Sequence, residues 1–373
     1  MKILTGIDVP FQPFGGSLLV ANDWYSNLPA DVEVRFLTLQ PPTGVEKWWD
    51  IKDVVFLDIE KKRGIEEFPG YIARLRKYVQ EQIDDFKPDV IHCQHLNYGL
   101  SRAIAEIETD IPRIGICHGT DVQIATTSNF FRDNLIAICD AMDLLLVPNQ
   151  TMANDFFAVY GQEKPHKINA LGIPDKYYSN TPRTLNYDGK RPLELLYAGR
   201  LLAWKGADIA VESMKYTTRD VNLTVIGNED EAGYKQGMQT FVDANNLNNR
   251  VAFREQLDRD ALLAEFSKFD AIILPSRSLE AFSLTVVEAQ SQGIPVIYNP
   301  GGGITDTVGN GGIRITDNTP RGVAELLDGI CGFPEILRDA QARGYRNAEK
   351  YRASTSQKNL FAISSELITR RAS

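Results

Sequence analysis

Short apolar runs and longer amphipathic stretches alternate along almost the whole chain. An apolar run of about four to eight residues bounded by turn residues is typical of a buried strand, and apolar residues at helical spacing indicate a helix that covers it. Their regular alternation predicts parallel strands joined by helices, the α/β class. The predicted strands are 2–7, 32–39, 54–57, 90–92, 113–117, 144–148, 193–198, 222–227, 251–254, 271–275 and 296–299. The predicted helices include 17–28, 71–85, 129–140, 284–292 and 355–371.

A polar stretch divides this pattern into two similar halves. Residues 179–192 have little apolar content and several turn residues. Each half carries its own set of strands and helices, and 373 residues is an ordinary length for two domains. We therefore expect a first domain over 1–178, a linker over 179–192, a second domain over 193–354 and a C-terminal helix within 355–373.

Composition narrows the class of protein further. The hydrophobic fraction of 43% is ample for two cores, and no apolar run approaches the length of a membrane-spanning helix. The first residues are a predicted strand without the apolar region and cleavage site of a signal peptide. The four cysteines lie in mostly apolar contexts without metal-ligand spacing, which is typical of reduced thiols. We therefore expect a cytoplasmic protein.

Acidic residues are concentrated in the first half. Residues 1–178 hold 17 Lys and Arg against 25 Asp and Glu, net −8, whereas the remainder holds 23 against 24, net −1. Such a surface is a poor partner for nucleic acid or an anionic membrane surface. The excess can serve solubility alone. Alternatively, it lines a pocket for a cationic substrate, with Asp8, Asp23 and Asp121 as candidate contacts.

The stretch 275–295 carries the strongest chemical signal. It predicts a loop and a helix after a strand, and it places Glu280 in the loop and Glu288 in the early turns of the helix, with seven residues between them. Ligands of open parallel sheets bind beyond the carboxyl ends of the strands. There a carboxylate can accept from two adjacent sugar hydroxyls, and free N–H groups at the helix start can bind an anion. A solvated helix residue and an ordinary loop residue are the alternative interpretations.

A second strand end carries two cations. Arg200 and Lys205 follow the strand 193–198, and Gly206 comes just before the next helical pattern. Arginine offers a planar fork for phosphate oxygens, and lysine offers a mobile point charge. A lysine at a helix start is unfavourable without an anion nearby. The pair therefore indicates a phosphate site, with a solvated lysine as the alternative.

Two loops of the first half can also approach a ligand. Phe14, Gly15 and Gly16 follow a proline-rich loop, and two glycines at a strand-to-helix turn allow close backbone contact. The sequence is not GxGxxG, so it does not predict a dinucleotide site. His118 ends a predicted strand and can contact a sugar hydroxyl, and Asp121 can orient it or cap the next helix. A purely structural histidine is the alternative.

Taken in order along the chain, these segments resemble the retaining glycosyltransferases of the GT-B fold, and glycosyltransferase family 4 in particular. The segment SLEAFSLTVVEAQSQGIPV is similar to the family's signature of two glutamates separated by seven residues. The family also has a glycine loop after its first strand, a histidine late in its first domain and an Arg…Lys-Gly pair opening its second. The resemblance implies two Rossmann-like doubly wound domains facing across a cleft, with the C-terminal helix crossing back to the first domain.

The resemblance also implies a role for each matching residue. Glu288 would bind the ribose of the nucleotide, and Glu280 would bind hydroxyls of the donor sugar. Arg200 and Lys205 would hold the diphosphate, and His118 would contact the transferred sugar. The remaining contacts would come from the backbone: Gly15 and Gly16 close to the diphosphate and acceptor, and the N–H groups of Phe282, Ser283 and Leu284 on phosphate and sugar.

The implied activity is transfer of a sugar, with retention of anomeric configuration, from a nucleoside diphosphate sugar to a hydroxyl. UDP is favoured and GDP is the alternative, no cofactor is needed, and the acceptor is small and soluble, such as a cationic amino sugar or aminocyclitol. A polysaccharide or lipid-linked acceptor, a sugar-nucleotide epimerase or hydrolase on the same fold, and a non-catalytic nucleotide-sugar binder are the alternatives. The oligomeric state is left open.

Metal chemistry has little support in the sequence. Asp258 and Asp260 form the only D-x-D, and Asp258 precedes a helical pattern as an expected N-cap. We therefore expect no metal site.

Two positions depart from the family's pattern: Asp306 lies where a glutamate is frequent, and Asn149 lies where a serine is common. These departures leave the choice of donor and acceptor open.

Overall fold

The chain divides into two compact units. The computed structural model describes residues 1–13, 15–62, 64–179, 181, 183–277 and 280–372. Unit 1 comprises Met1–Gly172 together with the segment from Ala353 onward, and unit 2 comprises Ile173–Arg352. The first unit is therefore built from two separate stretches of chain, with the second unit inserted between them.

Unit 1 is built on a parallel sheet. Its strands are β1 (Lys2–Pro10), β2 (Glu33–Leu39), β3 (Asp53–Leu57), β4 (Val90–Gln94), β5 (Arg113–Ile116), β6 (Leu144–Val147) and β7 (His166–Ile168). They form a seven-stranded sheet in the order β3-β2-β1-β4-β5-β6-β7, and each neighbouring pair is parallel. The strand order reverses between β1 and β4. Ligands of such sheets bind beside the loops at this switch point.

Helices cover the unit 1 sheet. They are α1 (Gly16–Tyr25), α2 (Phe68–Phe86), α3 (Gly99–Ala105), α4 (Thr120–Ala125), α5 (Asn129–Asp140) and α6 (Gln150–Tyr160). The helix α2 buries Tyr71, Leu75 and Val79, which lie on one face at the expected helical spacing. The helix α6 begins after Asn149, whose side chain accepts a hydrogen bond from the Met152 N–H at 2.7 Å. Asparagine at this position therefore works as a helix cap in place of serine.

Unit 2 repeats the architecture with six strands. They are β8 (Leu193–Ala198), β9 (Val221–Ile226), β10 (Val251–Arg254), β11 (Ala271–Leu274), β12 (Val296–Tyr298) and β13 (Gly312–Arg314). The order is β10-β9-β8-β11-β12-β13, again with parallel neighbours. The helices are α7 (Ala207–Ser213), α8 (Tyr234–Ala244), α9 (Arg259–Glu265), α10 (Leu284–Ser291), α11 (Ile304–Val308), α12 (Pro320–Gly332) and α13 (Glu335–Ala348). The switch point lies between β8 and β11.

The unit 2 sheet has an apolar core on each face. Leu195 and Tyr197 of β8 belong to one buried cluster, and Leu196 and Ala198 belong to the other. This alternation follows from the geometry of a strand, in which successive side chains point to opposite faces. A strand buried on both faces has a continuous run of apolar residues, and such a run is what predicts β8 from the sequence.

The C-terminal helix α14 (Ala353–Ala372) belongs to unit 1. It is tied to α1 by a hydrogen bond from Trp24 Nε1 to Ser356 Oγ at 2.6 Å and by one from Gln357 Nε2 to the Trp24 carbonyl at 2.6 Å. The predicted return of the C-terminal helix to the first domain is therefore confirmed. The fold class, two Rossmann-like α/β domains, is also confirmed.

The described part of residues 179–192 packs within unit 2 and differs from the predicted linker. Leu185 and Tyr187 are buried in the unit 2 core, and Arg183 Nη1 donates to the Phe266 carbonyl at 3.0 Å. The chain passes from unit 1 to unit 2 between Gly172 and Ile173 instead. Two apolar side chains in a polar stretch are enough to hold it against the second unit.

Candidate functional site

Glu280 is held rigidly in the loop after β11. Its backbone N–H donates to the Gly301 carbonyl at 3.2 Å, and its own carbonyl accepts from the Ile304 N–H at 3.2 Å. Its carboxylate is 5% exposed. One oxygen accepts a hydrogen bond from Ser276 Oγ, and the other lies 2.9 Å from Lys205 Nζ. The structure therefore brings together two of the predicted site residues from separate loops.

Lys205 reaches Glu280 from the end of a 3-10 turn, Ala203–Lys205, that precedes α7. Gly206 ends this turn with φ 74°, and a Cβ there would come within 2.1 Å of the Pro275 carbonyl oxygen. Only glycine fits both the backbone angle and the close approach. Lys205 Nζ also lies 4.4 Å from the centre of the Trp204 ring. The lysine thus comes before the helix, and its charge is balanced by a nearly buried carboxylate.

Arg200 lies on the loop after β8 and is half exposed. Its guanidinium Nη1 is 3.3 Å from Asp230 Oδ2, and the Arg200 carbonyl accepts from Tyr197 Oη at 3.2 Å. An ion pair this exposed contributes little to stability. The side chain is therefore available to exchange its carboxylate partner for an anionic ligand.

The start of α10 has an unusual backbone. Ser283, the residue before the helix, has φ 75°, and its side chain does not cap the helix. A left-handed conformation costs a non-glycine residue about 1 kcal/mol or more, and such strain is common at functional sites. Phe282 is buried and packs edge-on against Tyr351 at 5.3 Å, whereas Leu284 is half-buried. The Phe282 side chain is therefore committed to the core, whereas the Ser283 and Leu284 side chains are only half-buried.

Glu288 is paired with a residue that the sequence did not point to. Arg259 Nε lies 3.0 Å from Glu288 Oε1, and both side chains are 8% exposed. Arg259 is the first residue of α9, where the helix dipole disfavours a cation. A buried carboxylate nearby resolves this conflict. The signal that could have found Arg259 is this misplaced charge, the same argument that singled out Lys205.

Arg277 joins the two loops that carry Lys205 and Glu280. Its backbone N–H donates to the Trp204 carbonyl at 2.7 Å, and its guanidinium forms two hydrogen bonds of 2.6 Å to the Asp208 carboxylate. Tyr234 Oη donates to the same carboxylate at 2.6 Å. These contacts fix the loop that carries Lys205 against the loop that carries Glu280. They were not predicted, because nothing local in the sequence marks Arg277.

In unit 1, the predicted glycine loop leaves open space beside its backbone. Gly15 has φ 100° and precedes α1, and no heavy atom of the described residues, its chain neighbours set aside, lies within 4 Å of a Cβ built there. Gly16 is exposed and begins the helix. Phe14 lies outside the described residues. Backbone atoms at Gly15 and Gly16 are therefore open to contact, and their approach to a ligand stays a prediction.

His118 follows β5 and is half-buried. Its Nε2 lies 2.8 Å from Gln94 Oε1, and its backbone N–H donates to Asp121 Oδ2 at 2.6 Å. Burial, together with the neighbouring His95, lowers the pKa of His118 to about 3. The ring is therefore neutral at physiological pH. The residue that orients it is Gln94, whereas Asp121, the predicted candidate, binds the backbone of the His118 loop.

A second histidine, His95, lies beside His118. It is buried, adopts φ 62°, and its Nδ1 is 3.0 Å from Asp121 Oδ1. Its ring is stacked on Tyr98 at 4.2 Å and lies 4.5 Å from the His118 ring. Burial raises the pKa of Asp121, but His95 and the His118 backbone N–H outweigh it and lower that pKa to about 2. The sequence does not mark His95, because its partners Asp121 and His118 lie more than 20 residues away along the chain.

Both carboxylates of the D-x-D pair bind other groups of the protein. Asp258 accepts from the Ala261 N–H at 2.8 Å, which confirms it as the N-cap of α9. Asp260 accepts from Tyr177 Oη at 2.5 Å and lies 3.4 Å from Lys176 Nζ. Within the described parts of the chain, no cluster of three or more His, Cys, Asp or Glu side chains could hold a metal ion.

Solved structures share this fold. Sucrose-phosphate synthase from Thermosynechococcus elongatus matches with a TM-score of 0.82 and 17% identity, over 99% of each chain. Anabaena HepE in complex with UDP and glucose matches with a TM-score of 0.77 and 17% identity, over 98% of this chain and 100% of that one. At this level of identity the likeness establishes the fold, which is the GT-B pair of Rossmann-like domains.

Two family models cover most of the sequence. Residues 186–347 match "Glycosyl transferases group 1", and residues 14–170 match "Glycosyltransferase Family 4". The chain belongs to this family of glycosyltransferases, as its two glutamates and its Arg…Lys-Gly pair predicted. Over the described residues, no helix is both long and apolar enough to cross a membrane.

Curated relatives match over part of their length. The D-inositol 3-phosphate glycosyltransferase of Paenarthrobacter aurescens is 27% identical over 63% of this chain and 61% of its own. The glycogen synthase of Mycobacterium tuberculosis strain H37Rv is 31% identical over 72% of this chain and 65% of its own. The chain thus spans less than two thirds of the length of these relatives.

Proposed function

We propose that this protein transfers a sugar from a nucleoside diphosphate sugar to a hydroxyl of a small soluble acceptor, with retention of anomeric configuration. The observation that carries the proposal is the Lys205–Glu280 pair at the switch point of the unit 2 sheet. A cation and a carboxylate fixed together at this point suit a ligand with a phosphate next to a sugar. The family membership supports the same reaction class.

The chemistry follows from where the charges lie. The leaving diphosphate gains negative charge as the bond to the sugar breaks. Lys205, Arg200 and the N–H groups at the start of α10 would stabilise that charge. Glu280, once Lys205 turns to the phosphate, has carboxylate oxygens for two sugar hydroxyls. Glu288 would accept from the ribose through the oxygen that does not face Arg259.

The neutral ring of His118 would contact a hydroxyl of the transferred sugar. A histidine with a pKa of about 3 is a poor proton acceptor in the chemical step, so its contribution is hydrogen bonding. We therefore propose that no side chain of the described residues forms a covalent intermediate. Attack by the acceptor on the same face as the leaving diphosphate would then give retention.

A mechanism without a metal or another cofactor is part of the proposal. Arg200 and Lys205 supply the positive charge that a divalent cation would otherwise supply to the diphosphate. Transfer should proceed unchanged in EDTA. A loss of activity that added Mg²⁺ or Mn²⁺ restores would contradict this part alone.

UDP is the first nucleotide to test. HepE, which shares the fold, is bound to UDP and glucose. A thermal-shift screen with UDP, GDP and ADP should show one nucleotide that raises the Tm, and labelled donors of that nucleotide should then give a glycoside. An epimer or a free sugar would instead indicate an epimerase or hydrolase, and binding without any product would indicate a binding protein.

Two matched substitutions, each of a glutamate in unit 2, complete this screen. Glu288→Gln should abolish most of the thermal shift, because it removes the proposed ribose contact. Glu325, an exposed glutamate on α12, is the control, and Glu325→Gln should leave the shift unchanged. Equal shifts in the two variants would remove the support for a nucleotide at Glu288. The anomeric coupling in the NMR spectrum of the product decides retention.

The acceptor is predicted from charge. With α14 included, unit 1 holds 19 Lys and Arg against 25 Asp and Glu, net −6, and unit 2 holds 21 against 24, net −3. Asp8 and Asp121 are fully buried and bind Tyr71 and His95. Two of the three predicted contacts therefore face inward, and Asp23 is half-buried. A cationic acceptor would depend on the wider field of unit 1 more than on these side chains.

Salt distinguishes the acceptor classes. The Debye length shrinks about sevenfold between 0.02 and 1 M salt. The KM of a cationic acceptor should rise clearly over this range. A flat response, or turnover only with a polysaccharide or a lipid-linked acceptor, would show that the acidity of unit 1 serves solubility.

A further inference from the structure

A continuous chain of hydrogen bonds, buried beyond its first link, runs from His118 to the C-terminal helix of unit 1. It passes from His118 Nε2 to Gln94 Oε1 at 2.8 Å and from Gln94 Nε2 to Tyr25 Oη at 2.8 Å. It continues from Tyr25 Oη to His92 Nδ1 at 2.8 Å and from His92 Nε2 to Ser364 Oγ at 2.9 Å. The last link joins Ser364 Oγ to the carbonyl of Leu360, one turn earlier in α14, at 2.8 Å.

The hydrogen positions in this chain follow from its two ends. A backbone carbonyl only accepts, so Ser364 donates its one hydrogen to Leu360 and must accept from His92 Nε2–H. Burial lowers the pKa of His92 to about 3, so its ring is neutral and Nδ1 has no hydrogen. His92 Nδ1 therefore accepts from the Tyr25 hydroxyl, whose oxygen accepts from Gln94.

A second, independent anchor fixes Gln94. Thr5 Oγ1 donates its hydrogen to the His92 carbonyl at 2.9 Å, and it lies 3.2 Å from Gln94 Nε2. Because that hydrogen is used, Thr5 can only accept from Gln94, so the NH2 group of the amide must face Thr5. The amide oxygen of Gln94 then faces His118, and an oxygen requires a hydrogen on His118 Nε2.

The consequence concerns the other nitrogen of His118. A neutral imidazole with its hydrogen on Nε2 has a lone pair on Nδ1. Among the residues that the structure describes, none forms a hydrogen bond with His118 Nδ1, and the side chain is half-buried rather than enclosed. Nδ1 is therefore an acceptor for a donor that the described residues do not provide.

We propose that Gln94 is a positioning residue that holds His118 in its Nε2–H form, so that His118 Nδ1 accepts a hydrogen bond from a hydroxyl of the bound sugar. The part of this inference that concerns the hydroxyl depends on the proposed function, whereas the part that concerns the tautomer does not. By this inference Gln94 orients His118, and Thr5 orients the Gln94 amide; neither residue is marked by the sequence.

NMR of the whole protein labelled with ¹⁵N-histidine tests the tautomer directly. The chain has four histidines, so single replacements can assign each ring. We expect His118 with a protonated Nε2 and an unprotonated Nδ1 at neutral pH. A His118 ring with its hydrogen on Nδ1, or a doubly protonated ring, would overturn the proposal without any variant or substrate.

Two variants then separate position from stability: Gln94→Met removes the three hydrogen bonds of the Gln94 amide, and Ser364→Ala removes the two of the Ser364 hydroxyl. Gln94→Met removes the contact with His118, so the ring should exchange between tautomers, and kcat should fall about 10- to 100-fold with the KM of the donor little changed, as for other residues that orient a histidine. Ser364→Ala removes the far end of the chain. Because Thr5 still anchors Gln94, the His118 signals and kcat should stay close to those of the wild type.

The outcomes decide each part separately. A fixed Nε2–H ring in Gln94→Met, or an equal loss of kcat in both variants, would contradict the positioning role. A wild-type protein that shows the expected tautomer but transfers no sugar from any donor would instead contradict the proposed function. Comparison of circular dichroism spectra and Tm values shows whether each variant is folded at the assay temperature.

Discussion

Replacing Arg259 by methionine should destabilise unit 2 by several kcal/mol, because it removes a buried ion pair with Glu288. Arg259 Nε and Glu288 Oε1 are 3.0 Å apart, and each side chain is 8% exposed. At this separation and an effective dielectric constant of about 20, the attraction is about 5 to 6 kcal/mol, most of which offsets the desolvation of the two charges. Removing one partner leaves the other charge buried, which costs about 3 to 5 kcal/mol.

A double-mutant cycle measures this effect. The four proteins are the wild type, Arg259→Met, Glu288→Gln and the double variant, each unfolded in urea. Trp204 is the one tryptophan of unit 2, so the difference from a Trp204→Phe background reports on that unit. Because the double variant leaves no buried charge, its loss of stability should be smaller than the sum of the single losses by about 2 to 3 kcal/mol.

A more exposed pair in the same unit, whose glutamate also lies 2.7 Å from Lys268 Nζ, provides the control. Arg254 Nη1 and Glu265 Oε2 are 2.6 Å apart, but their side chains are 40% and 15% exposed. The matched cycle there, Arg254→Met with Glu265→Gln, should give a coupling of about 1 kcal/mol or less. If the Arg259–Glu288 coupling were no larger than this, burial would not be the cause, and the argument that links Arg259 to Glu288 would fail.

The remaining predictions concern the diphosphate, the sugar and pH. Arg200→Ala and Lys205→Ala should each lower kcat/KM about 100-fold or more, since each removes a charged contact worth about 2 to 4 kcal/mol in the transition state. Near wild-type rates in both variants would contradict the proposal that these two side chains bind the diphosphate. Glu280→Gln should leave calorimetric binding of the nucleoside diphosphate almost unchanged and reduce transfer, and an equal loss of nucleotide affinity in Glu280→Gln and Glu288→Gln would contradict the assignment. Burial lowers the pKa of His92 to about 3 from its usual 6.5, so its contribution to stability is complete above pH 6.5 and is lost as the pH falls towards 3. The gap in unfolding free energy between the wild type and His92→Gln should therefore narrow by about 2 kcal/mol between pH 7.5 and pH 5, and a constant gap would show that His92 is not buried in its neutral form.

The strands were predictable because most of them are buried on both faces. The predicted 193–198 and 251–254 coincide with β8 and β10, and most other strand ends differ by one or two residues. The strands β7 and β13 were missed. Each has three residues and lies at the edge of its sheet, so neither contains an apolar run long enough to indicate a strand.

The candidate site was predictable only where a motif is local. The spacing of Glu280 and Glu288 is visible in one stretch of sequence, and so is the cation pair before α7. Arg259, Gln94 and His95 act through partners that the fold brings to them from elsewhere in the chain, and no local pattern marks such residues. The burial of Glu288 within α10 is not visible in the local sequence either. The helix is buried almost all round, with Glu288 included, whereas Leu284 is only half-buried.

The insertion of unit 2 into unit 1 sets the order in which the two can fold during synthesis. Ile173 and Arg352, which bound unit 2, form a β-bridge with each other, so unit 2 is a continuous segment whose ends already meet. Unit 1 needs α14, because Trp24 and His92 donate to Ser356 and Ser364 of that helix. A chain released at residue 352 should therefore have a complete second unit and an incomplete first one, because it lacks Ser364, whose hydroxyl accepts from His92 at the far end of the His118 network.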